Sequence, residues 1–159
     1  MEATVRLFLK ASRLNPFFFV SSLCMTKKRI LVIEDNLSNS EMIDAVLTED
    51  GYLTKCLSSS AGLAEMLTDF VPDLVLMDLL LEGADGRELC NFIKAEADEP
   101  RPKVILMTAA LLHQIPEIPC HPDVIITKPF DIFSLSANIR QLLICQEDAD
   151  DQREDQDRP

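Results

Sequence analysis

Short apolar runs alternate with amphipathic stretches along most of the chain. "RILVIED" (29–35) is continuously apolar, β-branched and closed by acids. That pattern predicts a strand buried on both faces of a parallel sheet. In the following "NLSNSEMIDAVLTEDG", Ile43, Val46 and Leu47 recur at helical spacing. Ser38 and Glu41 have capping-box spacing there, and Gly51 supplies a stop. "YLTKCL" (52–57) predicts a second, less apolar strand, and 59–70 a helix with Leu63, Ala64 and Leu67 on one side, ended by Pro72. "DLVLMD" (73–78) predicts the third strand and 85–97 the third helix, with Asp85 and Glu88 at cap spacing. "PKVILMTA" (102–109) predicts the fourth strand, and "DVIITKPF" (123–130) contains the fifth. Residues 131–145 predict a last amphipathic helix, with Leu135, Ile139 and Leu142 or Leu143 facing in.

Strands and helices alternating over short links predict an α/β domain whose parallel sheet is covered on both faces. One interval breaks the rhythm. Pro116, Pro119 and Pro122 stand three residues apart between the fourth and fifth strands. Each removes a backbone donor, so at most one turn near Leu111–Gln114 is expected, and the fourth helix is short or irregular.

Composition sharpens the boundaries. The chain has 159 residues, 47% of them hydrophobic, enough for one domain with a real core. Its net charge of −12 opposes general affinity for nucleic acid or an anionic membrane. Residues 1–29 carry +5 and residues 146–159 carry −5, so the region between is itself acidic at −12. We expect three parts: an N-terminal extension (1–27), a domain (28–145) and an acidic, disordered tail (146–159). The apolar patch in the extension is far short of the roughly 20 residues of a membrane span. "MTKKRILVIEDN" reads as a natural beginning, so translation is expected to start at Met25. The five cysteines form no CxxC pair, and His113 and His121 complete no zinc pattern. Free thiols in a reducing cytoplasm are expected.

In an open α/β sheet, ligands bind beyond the carboxyl ends of the strands. Those ends carry Glu34–Asp35, Asp78, Thr108 and Lys128. Crowded carboxylates repel one another, and a hard divalent cation such as Mg2+ relieves the repulsion. A lysine opposite the metal points to a second anion. Together they suit a phosphoryl group arriving at a nucleophilic carboxylate, with Asp78 on a central strand as the candidate. Asp85 reads as a helix cap.

"ILVIEDN", "DLVLMDLLLEGADG", "VILMTA" and "TKPF", in that order, resemble a response-regulator receiver domain of two-component signalling. The resemblance covers Lys28 to Cys145. It implies a flavodoxin-like, doubly wound five-stranded parallel sheet of order 2-1-3-4-5. Asp78 would be the phosphoacceptor, loaded from a histidine kinase or a histidine phosphotransfer protein. Asp35 would hold Mg2+ directly, Glu34 partly through water, and the Leu80 backbone carbonyl would be a further ligand. Thr108 and the Ala109 N–H would bind phosphoryl oxygens, as would Lys128, whose bond to Pro129 would be cis. Two positions depart from the family pattern. Ile125 stands where a Tyr or Phe is usual, three residues before the lysine. Glu82 stands where a proline is common, and little consequence is expected from it.

The leading expectation is a stand-alone receiver in the cytoplasm that is not an enzyme. It would signal to a downstream protein through protein contacts, without nucleic acid or membrane. The alternative is a receiver-fold interaction module that acts independently of phosphorylation. A flavin-binding protein of the same topology is disfavoured by four glycines and the lack of a phosphate-cradling loop after the first strand.

Overall fold

The computed structural model describes residues 27–109 and 118–154. In chain order the elements are β1 (Arg29–Ile33), α1 (Leu37–Glu49), β2 (Leu53–Leu57), α2 (Leu63–Asp69) and β3 (Leu74–Asp78). Then come β4 (Leu80–Leu81), β5 (Ala84–Asp85), α3 (Gly86–Glu96), β6 (Lys103–Thr108), β7 (Val124–Thr127) and α4 (Ile132–Glu154). The five long strands form one parallel sheet in the order β2-β1-β3-β6-β7. This is the predicted order, with helices on both faces.

Strand alternation divides the core in two. Ile30, Val32, Leu74, Leu76, Ile105 and Met107 point to one face, where Ile43 and Leu47 of α1 and Leu135, Ile139 and Leu143 of α4 cover them. Leu31, Ile33, Val75, Met77, Val104 and Leu106 point to the other, under Leu63 of α2 and Cys90 and Ile93 of α3. The three central strands are apolar at successive positions because both faces are buried. β2 is an edge strand and correspondingly more polar.

Several boundaries differ from expectation. α1 is capped by Asn36, not by Ser38: Asn36 Oδ1 accepts from the Asn39 N–H at 3.1 Å. Asn caps as well as Ser does, and β1 already ends at Ile33, so the helix starts earlier. α2 begins at Leu63 rather than near 59, because Gly62 takes a left-handed turn at φ 82°. Leu63 and Leu67 pack inward as expected, but Ala64 is exposed and Met66 packs inward in its place. "LLEGADG" holds an unexpected two-stranded hairpin, β4–β5. α4 runs to Glu154, so residues 146–154 are helical where disorder was expected. With no Gly or Pro in that stretch, nothing interrupts propagation from the packed part of the helix. The predicted extension up to residue 26 and the short turn near Leu111–Gln114 lie outside the described residues.

Asp123 locks β7 beside β6. It accepts from the Val104 N–H at 2.8 Å and from Lys94 Nζ at 2.6 Å. Burial pushes its carboxyl up, but Lys94 and the Val104 N–H outweigh burial and leave it below the usual range. Among the described residues no helix is long and apolar enough to cross a membrane.

Val71 closes α2 at φ 46°, with the Phe70 and Val71 N–H groups both reaching the Met66 carbonyl. A β-branched residue is strained there, by about 1–2 kcal/mol, against about 0.5–1 kcal/mol of entropy that glycine loses on folding. Val71 is exposed, so its side chain contributes little packing. Val71→Gly is therefore expected to raise stability by about 0.5–1 kcal/mol. Urea denaturation checks this; a lower midpoint would show that Val71 packs more than its exposure implies.

Candidate functional site

In-register parallel pairing brings five chemistry-bearing residues to one edge of the sheet. Ile33 pairs with Met77, Asp78 with Met107 and Thr108 with Thr127. Glu34 therefore leaves β1 level with Asp78 at the end of β3, and Lys128 leaves β7 one step beyond Thr108. The Lys128 N–H continues the ladder to the Thr108 carbonyl at 2.7 Å.

Lys128 is the hub. Its Nζ donates to Asp78 Oδ2 at 2.5 Å and to Glu34 Oε2 at 2.6 Å. Burial pulls its pKa down, but the two carboxylate partners more than offset this and hold the ammonium above its ordinary value. Glu34 is buried, and its other oxygen accepts from Asn39 Nδ2 at 3.1 Å. Asp78 is half-buried, and its Oδ1 accepts from the Leu80 N–H at 3.1 Å. Asp35 is exposed, with Oδ2 accepting from the Glu82 N–H at 2.9 Å. Thr108 is buried at the end of β6, and the exposed Ala109 follows it. The Lys128–Pro129 bond is cis, as the resemblance implied.

Each of Glu34, Asp35 and Asp78 offers a carboxylate oxygen within 4.8 Å of the other two. Three carboxylates against one ammonium leave a formal excess of two negative charges. Magnesium takes oxygen ligands at about 2.0–2.1 Å, so oxygens across its octahedron stand about 4.2 Å apart. The cluster fits a hard divalent cation in spacing, donor type and charge, and the exposed Asp35 leaves a side open for water. Thus the predicted quintet of Glu34, Asp35, Asp78, Thr108 and Lys128 shares one edge, with Leu80 two residues beyond Asp78.

Three participants escaped the sequence reading. Glu82 is not an inconsequential replacement: its N–H holds Asp35, and a proline there has no N–H to give. Asn39 holds Glu34, with only its polarity near the acids as a signal. Gly86 packs its Cα against the acceptor strand, where an added Cβ would lie 2.4 Å from the Asp78 carbonyl oxygen. Asp85, by contrast, caps α3 as expected and forms a two-pronged pair with the buried Arg87, whose hydrogen bond holds the Asp85 carboxyl below its usual range. Cys56, Cys90 and Cys120 are free thiols, each pushed up in pKa by burial. His121 is an exposed loop residue, and His113 lies outside the described residues.

Comparison with known proteins gives a consistent picture. The family model of the response regulator receiver domain matches residues 30–140. The chain is 30% identical over 124 residues to the DNA-binding response regulator MtrA of Mycolicibacterium smegmatis, covering 77% of this chain and 53% of that protein. It thus spans about half the length of the curated relatives it matches. Among solved structures, a CheY-like receiver domain protein from Methanospirillum hungatei superposes with TM-score 0.65 at 25% identity, over 78% of this chain and 99% of that one. The receiver domain of a signal transduction histidine kinase from Syntrophus aciditrophicus gives TM-score 0.62 at 30% identity, over 73% and 89%.

Proposed function

The chain belongs to the response-regulator receiver family, and from that premise we propose that it accepts a phosphoryl group on Asp78 and passes the signal on through protein contacts. One observation carries the reading: Asp78 sits at the end of the central strand, 2.5 Å from Lys128 and within the carboxylate cluster. The donor is a phosphohistidine on a histidine kinase or a phosphotransfer protein. An Asp78 carboxylate oxygen attacks phosphorus, the P–N bond breaks, and the imidazole nitrogen keeps the electron pair and takes a proton from water.

Asp35, Asp78 and the Leu80 carbonyl, with Glu34 partly through water, would hold Mg2+, which when bound neutralises charge on the phosphoryl oxygens. The remaining work falls to the chain. Lys128 stays charged because two carboxylates hold it, so it can pair with a phosphoryl oxygen as charge develops there. The Thr108 hydroxyl and the Ala109 N–H would receive the other oxygens. The Leu80 N–H on Asp78 Oδ1 fixes the carboxylate's rotation and directs Oδ2 to the site. Chemistry of this kind alters the protein itself, so the chain is read as a signalling protein rather than an enzyme. A net charge of −12 opposes a nucleic-acid backbone, and no DNA contact is proposed for the receiver.

Intact-mass measurement tests the reading. With Mg2+ and acetyl phosphate the protein is expected to gain one phosphoryl group, and with a chelator none. No increment under loading conditions would sink the proposal. The alternative, an interaction module indifferent to phosphorylation, draws on Ile125. That residue is exposed on β7 and brings no ring or hydroxyl to relay a change at Thr108. Partner capture unchanged by beryllofluoride would favour it.

A further inference from the structure

Asn39 occupies the third position of α1. In a capping box, the residue there reaches back to the N–H of the cap. Here Asn39 instead turns its Nδ2 to Glu34 Oε1, at 3.1 Å, while its backbone N–H serves the Asn36 cap. Glu34 has a side chain only 1% exposed, so each of its oxygens needs a partner inside the protein. Asn39 supplies one and Lys128 supplies the other.

The chemistry of the two partners differs. Asn39 is neutral, so it fixes the rotation of the carboxylate without cancelling its charge. The full negative charge is left for Lys128, which Glu34 shares with Asp78. The terminal torsion of glutamate is soft and broadly populated, so a carboxylate held at one end only would swing. With it would swing the ammonium, whose place beside Asp78 is set on the other side by a carboxylate about to change into an acyl phosphate. Glu34 is the partner that stays the same through that change.

We propose that Asn39 is a positioning residue: it locks Glu34 as a fixed anchor that keeps Lys128 at the acceptor while Asp78 is phosphorylated. The inference rests on the assignment of Asp78 as phosphoacceptor. It acts through Glu34 and Lys128 and requires no contact between Asn39 and the phosphoryl group.

The test compares Asn39→Ala with Asn36→Ala. The first removes the hold on Glu34 and keeps the cap, because the backbone N–H of residue 39 remains. The second removes the cap and leaves the Asn39 amide in place, which controls for loss of helix stability. Two readouts are taken: the proton–nitrogen NMR resonance of the Lys128 ammonium, and the first-order rate of loading by acetyl phosphate with Mg2+. The rate is resolved into its value at saturating donor (here kcat) and the half-saturating donor concentration (here KM).

Asn39→Ala is expected to shift or broaden the ammonium resonance. It should lower kcat on the order of ten- to hundredfold, the scale of a misplaced reacting group, with KM changed less than about twofold. Asn36→Ala should leave both readouts near wild type. Asn39→Asp places a like charge against Glu34 and should lower kcat at least as far. The proposal is overturned by an unmoved resonance and an unchanged kcat in Asn39→Ala, or by Asn36→Ala reproducing both effects. Should the wild-type chain take no phosphoryl group at all, the proposed function fails, and the ammonium resonance alone decides the role of Asn39.

Discussion

Asp78→Asn is expected to abolish phosphoryl acceptance while leaving the domain folded. The amide oxygen carries no formal charge and is a poor nucleophile toward phosphorus, so the chemical step is lost outright. Charge arithmetic indicates why the fold survives. At an effective dielectric of about 20, the Asp78–Lys128 pair at 2.5 Å is worth roughly 7 kcal/mol before desolvation. Against it stand two repulsions, from Glu34 and Asp35, of about 3.5 kcal/mol each at the outer spacing of 4.8 Å. The terms cancel to within their precision. The Asn oxygen can replace only one of the two accepting oxygens. Turned to Lys128 it keeps that bond, and Lys128 also keeps Glu34. The exposed Leu80 N–H, now facing the amide NH2, turns to water, so no buried donor is stranded. The variant should melt within about 1 kcal/mol of wild type and show no mass increment with Mg2+ and acetyl phosphate. A full increment on the variant would mean that another residue is the acceptor. Unfolding would mean that the Lys128–Asp78 pair outweighs the repulsion it relieves.

The sheet was legible because its central strands are buried on both faces and therefore apolar at every position, a pattern few other arrangements produce. The acids at the strand ends were legible for a related reason. A carboxylate that ends an apolar run can reach water or a cation, whereas one within the run cannot. What the sequence hid is local and depends on distance. Asn36 and Ser38 are comparable caps on paper, and only the end of β1 at Ile33 decides between them. The three serines at 58–60 look like the start of a helix, yet Gly62 turns left-handed and delays it. Glu82 was judged by the side chain it carries, but what reaches Asp35 is its backbone N–H, a group every residue except proline provides. Asn39 could have been a capping-box residue as readily as a clamp on Glu34. Pattern reading sees side-chain character, and these choices turn on which neighbour lies within about 3 Å.

Gly86→Ala is expected to damage the site from behind, without altering any group that touches the phosphoryl oxygens. The Gly86 N–H donates to the Leu79 carbonyl at 2.7 Å, which draws the first turn of α3 onto the backbone just past the acceptor. At that approach a Cβ would sit 2.4 Å from the Asp78 carbonyl oxygen and 2.9 Å from Leu79 Cα. Both are backbone atoms, so no side chain can step aside. Either α3 retreats, which stretches the Gly86–Leu79 hydrogen bond, or the end of β3 moves and takes Asp78 with it. Overpacking of this kind costs about 1–3 kcal/mol, and a 1 Å displacement of a reacting group costs on the order of a hundredfold in rate. Urea denaturation and acetyl phosphate loading measure the two effects on one sample. Gly51→Ala is the matched control. Its φ of +93° is strained for alanine, but no atom lies within 4 Å of the added carbon. It should lose about 1 kcal/mol and load at the wild-type rate. If Gly86→Ala loads as fast as Gly51→Ala, α3 yields and the strand does not. The close approach then serves the fold alone, and Asp78 owes its placement to the strand register and Lys128.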